Sequence, residues 1–363
     1  MERERERYFK RAGDLRLPAE WEPHRSTWLI WPHNPRDWEV KMSSVRWVFL
    51  EIIRHLSESE KVSIIFQSKD NQRNVCRLIE RVGIQKSQLE MHCVKSDRSW
   101  VRDTGPLIVC KKTGSSPIKL LATDWRFNGW ARYKAFTDDD KVAQKISLLA
   151  GMDNFRVQHP EGGEVVLEGG AVDVNGQGDL LATEECLLGS PQRRNPRLDK
   201  KDIEVLFRDV LGAQRVLWLG QGICGDDTHG HIDDVARFVA RDTVVAAIET
   251  DSADENYERL QDNLKRLKVM KTLAGTKLKI VTLPMPKPLY FNNIRLPASY
   301  LNFYIANRKV LVPTFNDASD RIALVTLSKL FPNHQVIGIH SVDLVLGLGT
   351  VHCLTMQEPL LAS

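Results

Sequence analysis

The sequence predicts a mixed α/β fold in which a helix followed by a group of short strands recurs about five times along 363 residues. Three observations carry this reading. The hydrophobic period switches repeatedly between the 3.6-residue rhythm of helices and the short apolar runs of strands. Some neighbouring strands are joined by turns too short for a crossover: Asn175-Gly176-Gln177-Gly178 and Asn307-Arg308 suit antiparallel hairpins. A doubly wound parallel sheet has no place for so many hairpins between its helices.

The elements follow in order. Val45, Val48, Phe49, Ile52, Ile53 and Leu56 fall at i, i+3, i+4 spacing and predict the first helix. A strand at 62–66 follows at once. Val75, Leu78, Ile79 and Val82 mark a second helix, and strands are predicted at 89–94, 107–110 and 120–123. Further helices are expected at 138–149, 198–211, 253–270 and 318–330. The remaining strands fall at 165–167, 179–183, 216–219, 235–240, 244–248, 278–283, 301–306, 310–314 and 336–339. No sequence repeat is visible, and no Pro/Gly/Ser linker divides the chain. The expected organisation is one domain over 17–363, preceded by a charged extension over 1–16.

Composition narrows the function classes. Apolar residues make up 42% of the chain, ample for a buried core, and Gly 22 with Pro 16 excludes a collagen-like or low-complexity chain. Lys plus Arg is 51 against 47 for Asp plus Glu, a formal charge of +4. That small excess, with no long basic stripe, argues against a nucleic-acid partner. No apolar run reaches the roughly 18 residues that span a bilayer. The first residues lack the apolar stretch of a secretory signal. The expected location is the cytoplasm, away from membranes. Cys76, Cys93, Cys110, Cys186, Cys224 and Cys353 are scattered without a CxxC pair, which is neither a disulfide framework nor a zinc-finger spacing.

Four stretches carry chemistry. In Gly347-Leu-Gly349-Thr-Val-His352-Cys353, a glycine-flanked loop runs straight into a cysteine. Glycine allows close backbone approach to a ligand, and a thiol held there can act as a nucleophile. The alternative is a buried thiol in a closing strand. The second stretch runs from Gly225 through Asp226, Asp227, His229, His231, Asp233 and Asp234 to Arg237. On an extended chain His229, His231 and Asp233 point the same way. They suit either a metal site or a metal-free His–carboxylate acid/base pair. The third, Trp100-Val-Arg-Asp103-Thr-Gly-Pro, leaves Trp100 and Asp103 beside a turn at a strand end. The fourth, Leu167-Glu168-Gly-Gly, sets a lone acid between an apolar run and two glycines. Singly, each of these two acids reads as an ordinary turn residue. A Trp- and Pro-rich run over 17–32 suits a site wall or an anchor for the first strand.

Together these stretches resemble the agmatine deiminases of the guanidine-modifying (pentein) superfamily, which also contains bacterial peptidylarginine deiminase. The matching pieces are P-A-E-W-E-P-H-x-x-T-W (18–28), W-x-R-D-T-G-P (100–106), D-W-x-F-N (124–128) and L-E-G-G (167–170). T-E-E-C-L-L (183–188), G-H-I-D (230–233), A-R-F-V (236–239) and H-C-L-T (352–355) complete the series. Position 229 is His where many relatives have Asp, and the residues before Cys353 are less rich in Gly and Asn. These departures bear on substrate preference.

The resemblance implies a five-bladed, pseudo-fivefold α/β propeller with short mixed sheets and outer helices. It implies Cys353 as nucleophile, His231 as acid/base, Asp103 and Asp233 on the guanidinium nitrogens, and Glu168 beside the histidine. The implied reaction is hydrolysis of agmatine to N-carbamoylputrescine and ammonia through a cysteine thiouronium, serving putrescine synthesis. No cofactor or metal is needed, and relatives suggest a homodimer. Trp100 and Trp125 are candidates for lining the substrate stem, with packing alone an equal reading for Trp125; Gly349 is a further substrate-binding candidate, and Asp227 a candidate acid at the far end. A carboxylate-ringed thiol should be protonated in the empty site and ionise when the cation binds; the alternative is a resting thiolate paired with protonated His231. Other readings are a deiminase of peptidyl-arginine or another guanidine, a metallohydrolase built on His229, His231 and Asp233, and a non-catalytic binding module on the same fold.

Overall fold

A computed structural model describes residues 15–112, 114–116, 118–159 and 162–361. These residues hold five sheets of three or four strands and one two-stranded hairpin. Three of the sheets repeat one plan. An antiparallel hairpin comes first, a helix follows, and a strand then returns parallel to the second hairpin strand. Thus Ala236–Ala240 and Thr243–Ile248 pair antiparallel, helix Asn256–Val269 follows, and Lys279–Pro284 returns parallel. Tyr304–Ala306, Lys309–Thr314, helix Ser319–Leu330 and Gln335–His340 do the same. So do Asp173–Val174, Asp179–Thr183, helix Lys200–Leu206 and Arg215–Leu219. A further sheet holds Leu107–Lys111, Lys119–Asp124 and Asp153–Arg156, with Leu15–Arg16 added outside Leu107–Lys111. It is called the second sheet because its hairpin follows the strands from His24 to Cys93 along the chain.

The remaining sheet joins the two ends of the described chain. Met356–Pro359 lies antiparallel to His24–Ile30, followed by Lys61–Phe66 and Leu89–Cys93 in parallel. The sheets are therefore mixed. The short turns carry the antiparallel pairs, and each helix provides the crossover that a parallel pair requires. Helix Met42–Ser57 buries the predicted stripe of Val45, Val48, Phe49, Ile52, Ile53 and Leu56. Burial of each such side chain contributes about 1.5–3 kcal/mol. No helix among the described residues is long and apolar enough to cross a membrane.

Some expectations shift. Residues 165–167 form no strand, only an isolated bridge from Val166 to Arg126, because Asn195 takes both the N–H and the carbonyl of Val166. The strand predicted at 301–306 shrinks to Tyr304–Ala306. Ser299 and Asn302 bond instead to Asp234, which holds that backbone out of the sheet. The helix predicted at 198–211 starts after a capping box of Asp199 and Asp202, and widens to a π turn over Phe207–Leu211. It stops at Gly212, where φ is +71° and an added Cβ would meet the Leu15 carbonyl at 1.9 Å. That contact seats Leu15–Arg16, the end of the predicted extension, in the second sheet. The rest of that extension, residues 1–14, lies outside the described residues.

Candidate active site

Loops between these sheets bring together five side chains that the sequence holds far apart. Cys353 lies on the turn before the closing strand Met356–Pro359. Asp103 is on the four-residue helix Val101–Thr104. Glu168 precedes a 3-10 turn over Gly169–Ala171. His231 and Asp233 straddle the entry to a 3-10 turn over Ile232–Asp234. All five are buried.

Gly170 marks their meeting point. A Cβ on that residue would lie 2.5 Å from His231 Nδ1, 2.9 Å from Asp103 Oδ1 and 3.1 Å from Asp233 Oδ2. His231 Nδ1 is 3.9 Å from Asp103 Oδ1, and Nε2 is 3.8 Å from Glu168 Oε2. These are ion-pair distances, longer than hydrogen bonds. Cys353 Sγ is 3.7 Å from Asp233 Oδ2 and accepts from Asn302 Nδ2 at 3.1 Å. Both His231 nitrogens, Glu168 Oε2 and Asp233 Oδ1 are buried without a partner. Buried polar atoms are normally satisfied. All four atoms belong to side chains that converge here.

Each acid is also held from behind. Trp130 Nε1 donates to Asp103 Oδ2 at 2.9 Å, and the Gly170 N–H donates to Oδ1 at 3.0 Å. Arg194 Nε donates to Glu168 Oε1 at 3.1 Å. His352 Nδ1 lies 2.7 Å from Asp233 Oδ2. The charges follow. Burial alone would raise every carboxyl here. Arg194, then His231, overcome it at Glu168 and pull that group to about 2. His352 overcomes it at Asp233, which is lowered. At Asp103 burial prevails, with Asp233 and Glu168 adding repulsion against the pull of His231, and the group rises to about 6. Burial opposes charge on His231, but Asp103, Cys186 and Glu168 outweigh it and hold the imidazole well above its usual value. Burial, then Asp233, Asp234 and Asp103, push the Cys353 thiol well up.

The other sequence candidates separate. Trp100 is buried, packs on Trp38 at 5.2 Å between centroids, and shares a core cluster with Cys353. Gly349 lets the loop slip beneath it: a Cβ there would be 2.8 Å from the Trp100 ring and 3.2 Å from Cys353 Cβ. Trp125 does not reach the site. It packs on Phe207 in another core cluster and donates to Thr123 Oγ1. Trp130 is the indole that reaches Asp103. Its indole meets Asp103, and its ring meets Tyr133 at 5.8 Å. The Tyr133 hydroxyl donates to Asp227 Oδ2 at 2.6 Å. An aromatic wall therefore links Asp103 to Asp227. Asp37 lies beside Asp227, and burial pushes it to about 7 against the pull of Arg98.

The extended run of His229, His231 and Asp233 does not exist. Asp226 gathers the N–H groups of Thr228, Gly230 and His231 into a tight turn, and His229 takes a left-handed φ of 66°. His229 then lines an outer cleft with Glu184, Glu258 and Arg266. Among the described residues, the group spaced to hold a metal ion is Glu168, Cys186 and His231. The Arg194 guanidinium already pairs with that glutamate, and a divalent ion would sit against it.

Residue-type reasoning missed Glu20, Arg102, Arg194, Arg237, Asn302, His352 and Trp130. Four of these lie inside the quoted motifs. They carried a signal of position without one of role.

A model of the Porphyromonas-type peptidyl-arginine deiminase family matches residues 16–359. The chain belongs to this family. It is thus a hydrolase, of a family that acts on guanidino groups, with the pentein-type α/β fold of mixed sheets and outer helices. Among relatives of the deiminase family, the agmatine deiminase of Pseudomonas aeruginosa (strain LESB58) is 33% identical over 372 aligned positions, covering 96% of each chain. A solved agmatine deiminase of Enterococcus faecalis superposes with a TM-score of 0.86 at 33% identity, covering 97% of each chain. An agmatine deiminase of C. jejuni solved with substrate bound gives 0.81 at 28% identity, covering 94% of this chain and 96% of that one.

Proposed function

We propose that the protein is an agmatine deiminase, releasing ammonia from agmatine through a thiouronium on Cys353. The observation that carries this is the convergence of one imidazole and two carboxylates at Gly170, with Cys353 3.7 Å from Asp233. A guanidinium is planar and always cationic, and carboxylates match it in bidentate fashion. Asp103 and Asp233 take its nitrogens, and the orphaned Oδ1 of Asp233 gains its missing partner. The bound cation lowers the Cys353 pKa, the thiol proton leaves to solvent, and the resulting thiolate forms a bond to the central carbon. His231, protonated in the empty site, gives its proton to one nitrogen, and the C–N bond breaks with loss of ammonia. A water then adds to the thiouronium carbon and yields its proton to His231. The C–S bond breaks, and the ureido product leaves. Glu168 keeps the ring in place through both steps and favours its imidazolium form before the first and after the second.

At the far end, Asp227 and neighbouring Asp37 favour an ammonium such as that of agmatine. The wider reading is one domain over 17–363, with five sheets arranged as propeller blades. It acts as a cytoplasmic homodimer in polyamine synthesis, with no cofactor.

The test is ammonia release from agmatine, arginine and a blocked arginyl peptide, with EDTA present. Agmatine should turn over fastest and survive the chelator. Release from the peptide alone would move the substrate class, and loss of activity to EDTA would sink the thiol mechanism.

Two pH effects follow. Guanidinium binding needs ionised Asp103, so kcat/KM should fall as pH drops through about 6. A profile flat from pH 5 to 7 contradicts this. Cys353 is a thiol in the empty site, and a bound cation lowers its pKa. Its alkylation by iodoacetamide at pH 7 should therefore accelerate several-fold or more when millimolar guanidinium is added, because a larger fraction of the sulfur is then thiolate. No acceleration refutes substrate-assisted ionisation.

A further inference from the structure

Behind Asp233 lies a buried chain of charges that the reaction described above leaves unused. His352 Nδ1 is 2.7 Å from Asp233 Oδ2, and its Nε2 is 2.8 Å from Glu20 Oε2. Glu20 in turn accepts from Arg237 Nη2 at 2.8 Å and the Ile305 N–H at 2.8 Å through Oε1, and from Arg102 Nη2 at 3.3 Å through Oε2. With that many donors Glu20 has no use for a proton, and Arg237, His352 and Arg102 hold it well below its usual value against burial. The ring bridges the two carboxylates, one at each nitrogen.

We propose that His352 is the positioning residue of the guanidine site, fixing the Asp233 carboxylate through Oδ2, the oxygen that faces Gly170 and Cys353. The proposal rests on the guanidine-hydrolase reading above and deepens it. Glu20 is itself held by Arg237, Arg102 and the Ile305 N–H, so it is a fixed anchor for the far side of the ring. The chain also gives roles to pieces of three motifs that the chemistry had not absorbed: Glu20 after Pro18-Ala19, Arg237 after Ala236, and His352 before the nucleophile.

The backbone of His352 is held independently of its ring. Its N–H donates to Asn302 O and Oδ1, each at 3.1 Å, and its carbonyl accepts from Arg102 Nε at 3.3 Å. Side-chain replacements should therefore fold. Two amides separate the links. His352→Asn places a donor where Nδ1 was and keeps the bond to Asp233. His352→Gln places one where Nε2 was, keeping Glu20 and releasing Asp233.

The experiment is calorimetric titration of agmatine into Cys353→Ser protein carrying neither, His352→Asn or His352→Gln, with thermal melting of each. His352→Gln should bind about 10- to 100-fold more weakly, the cost of freeing a charged hydrogen bond, and His352→Asn should recover most of the affinity. Melting temperatures of the two should agree. Equal affinity in the two variants overturns the proposal, whether both match the parent or both are equally weak. If the Cys353→Ser parent binds no agmatine while wild type releases no ammonia from any guanidine, the functional reading fails and takes the inference with it.

Discussion

Cys353→Ser will cost at least about a thousandfold in ammonia release from agmatine while leaving agmatine binding intact. A serine hydroxyl is a far weaker nucleophile than a thiol and needs an adjacent base to act. Its polar neighbours are Asn302, a donor at 3.1 Å, and Asp233, a carboxylate shared with His352 and held below its usual range, which makes it a weak base for a hydroxyl. The loss should appear in kcat rather than KM, because the guanidinium is held by carboxylates and not by sulfur. Cys93→Ser, at an exposed thiol, is the control and should behave as wild type. Steady-state rates with EDTA present decide it. Turnover by Cys353→Ser within tenfold of wild type would mean that sulfur is not the nucleophile.

Gly170→Ala will remove activity as thoroughly with no cysteine touched. Gly170 does not occupy the left-handed region, so alanine meets no backbone strain there. The cost is steric and local. The new methyl would stand 2.5 Å from His231 Nδ1 and 2.9 Å from Asp103 Oδ1, closer than real contacts come, and a tight 3.1 Å from Asp233 Oδ2. The three groups must move apart, or the methyl fills the space the guanidinium needs. A displacement of about 1 Å in a reacting geometry costs on the order of a hundredfold, so kcat/KM should fall by at least that much. Circular dichroism should show the wild-type fold. Near-normal kcat/KM in a folded Gly170→Ala protein would place substrate elsewhere and overturn the geometry argued for Asp103, His231 and Asp233.

The two predictions draw on different kinds of information. Cys353 was legible as a residue type in a loop, because thiols and glycines advertise chemistry. Gly170 was visible only as half of a Gly-Gly pair after Glu168. That its α-carbon faces three charged side chains from distant loops is a fact of the folded chain. The failures have the same origin. Trp125 and Trp130 look alike in sequence, but the strand Lys119–Asp124 directs Trp125 toward Phe207, and the turn beyond it carries Trp130 to Asp103. His229 was placed beside His231 by the alternation of an extended chain, and the carboxylate of Asp226 folded that chain into a turn.

Local pattern was enough for most helices and strands, since each is set by the spacing of its own apolar residues and by nearby turn chemistry. The ordered series of motifs was enough for the family, because eight short matches in one order along nearly the whole chain leave little room for chance. Neither could reveal which ionisable groups are charged. That depends on burial and on neighbours brought from elsewhere in the chain: Arg194 at Glu168, His352 at Asp233, and no cationic side chain hydrogen-bonded to Asp103 among the described residues. The same side chain can be an acid or a base according to what the fold sets against it. Assigning the residue types was the work of the sequence, and assigning their protons was the work of the tertiary structure.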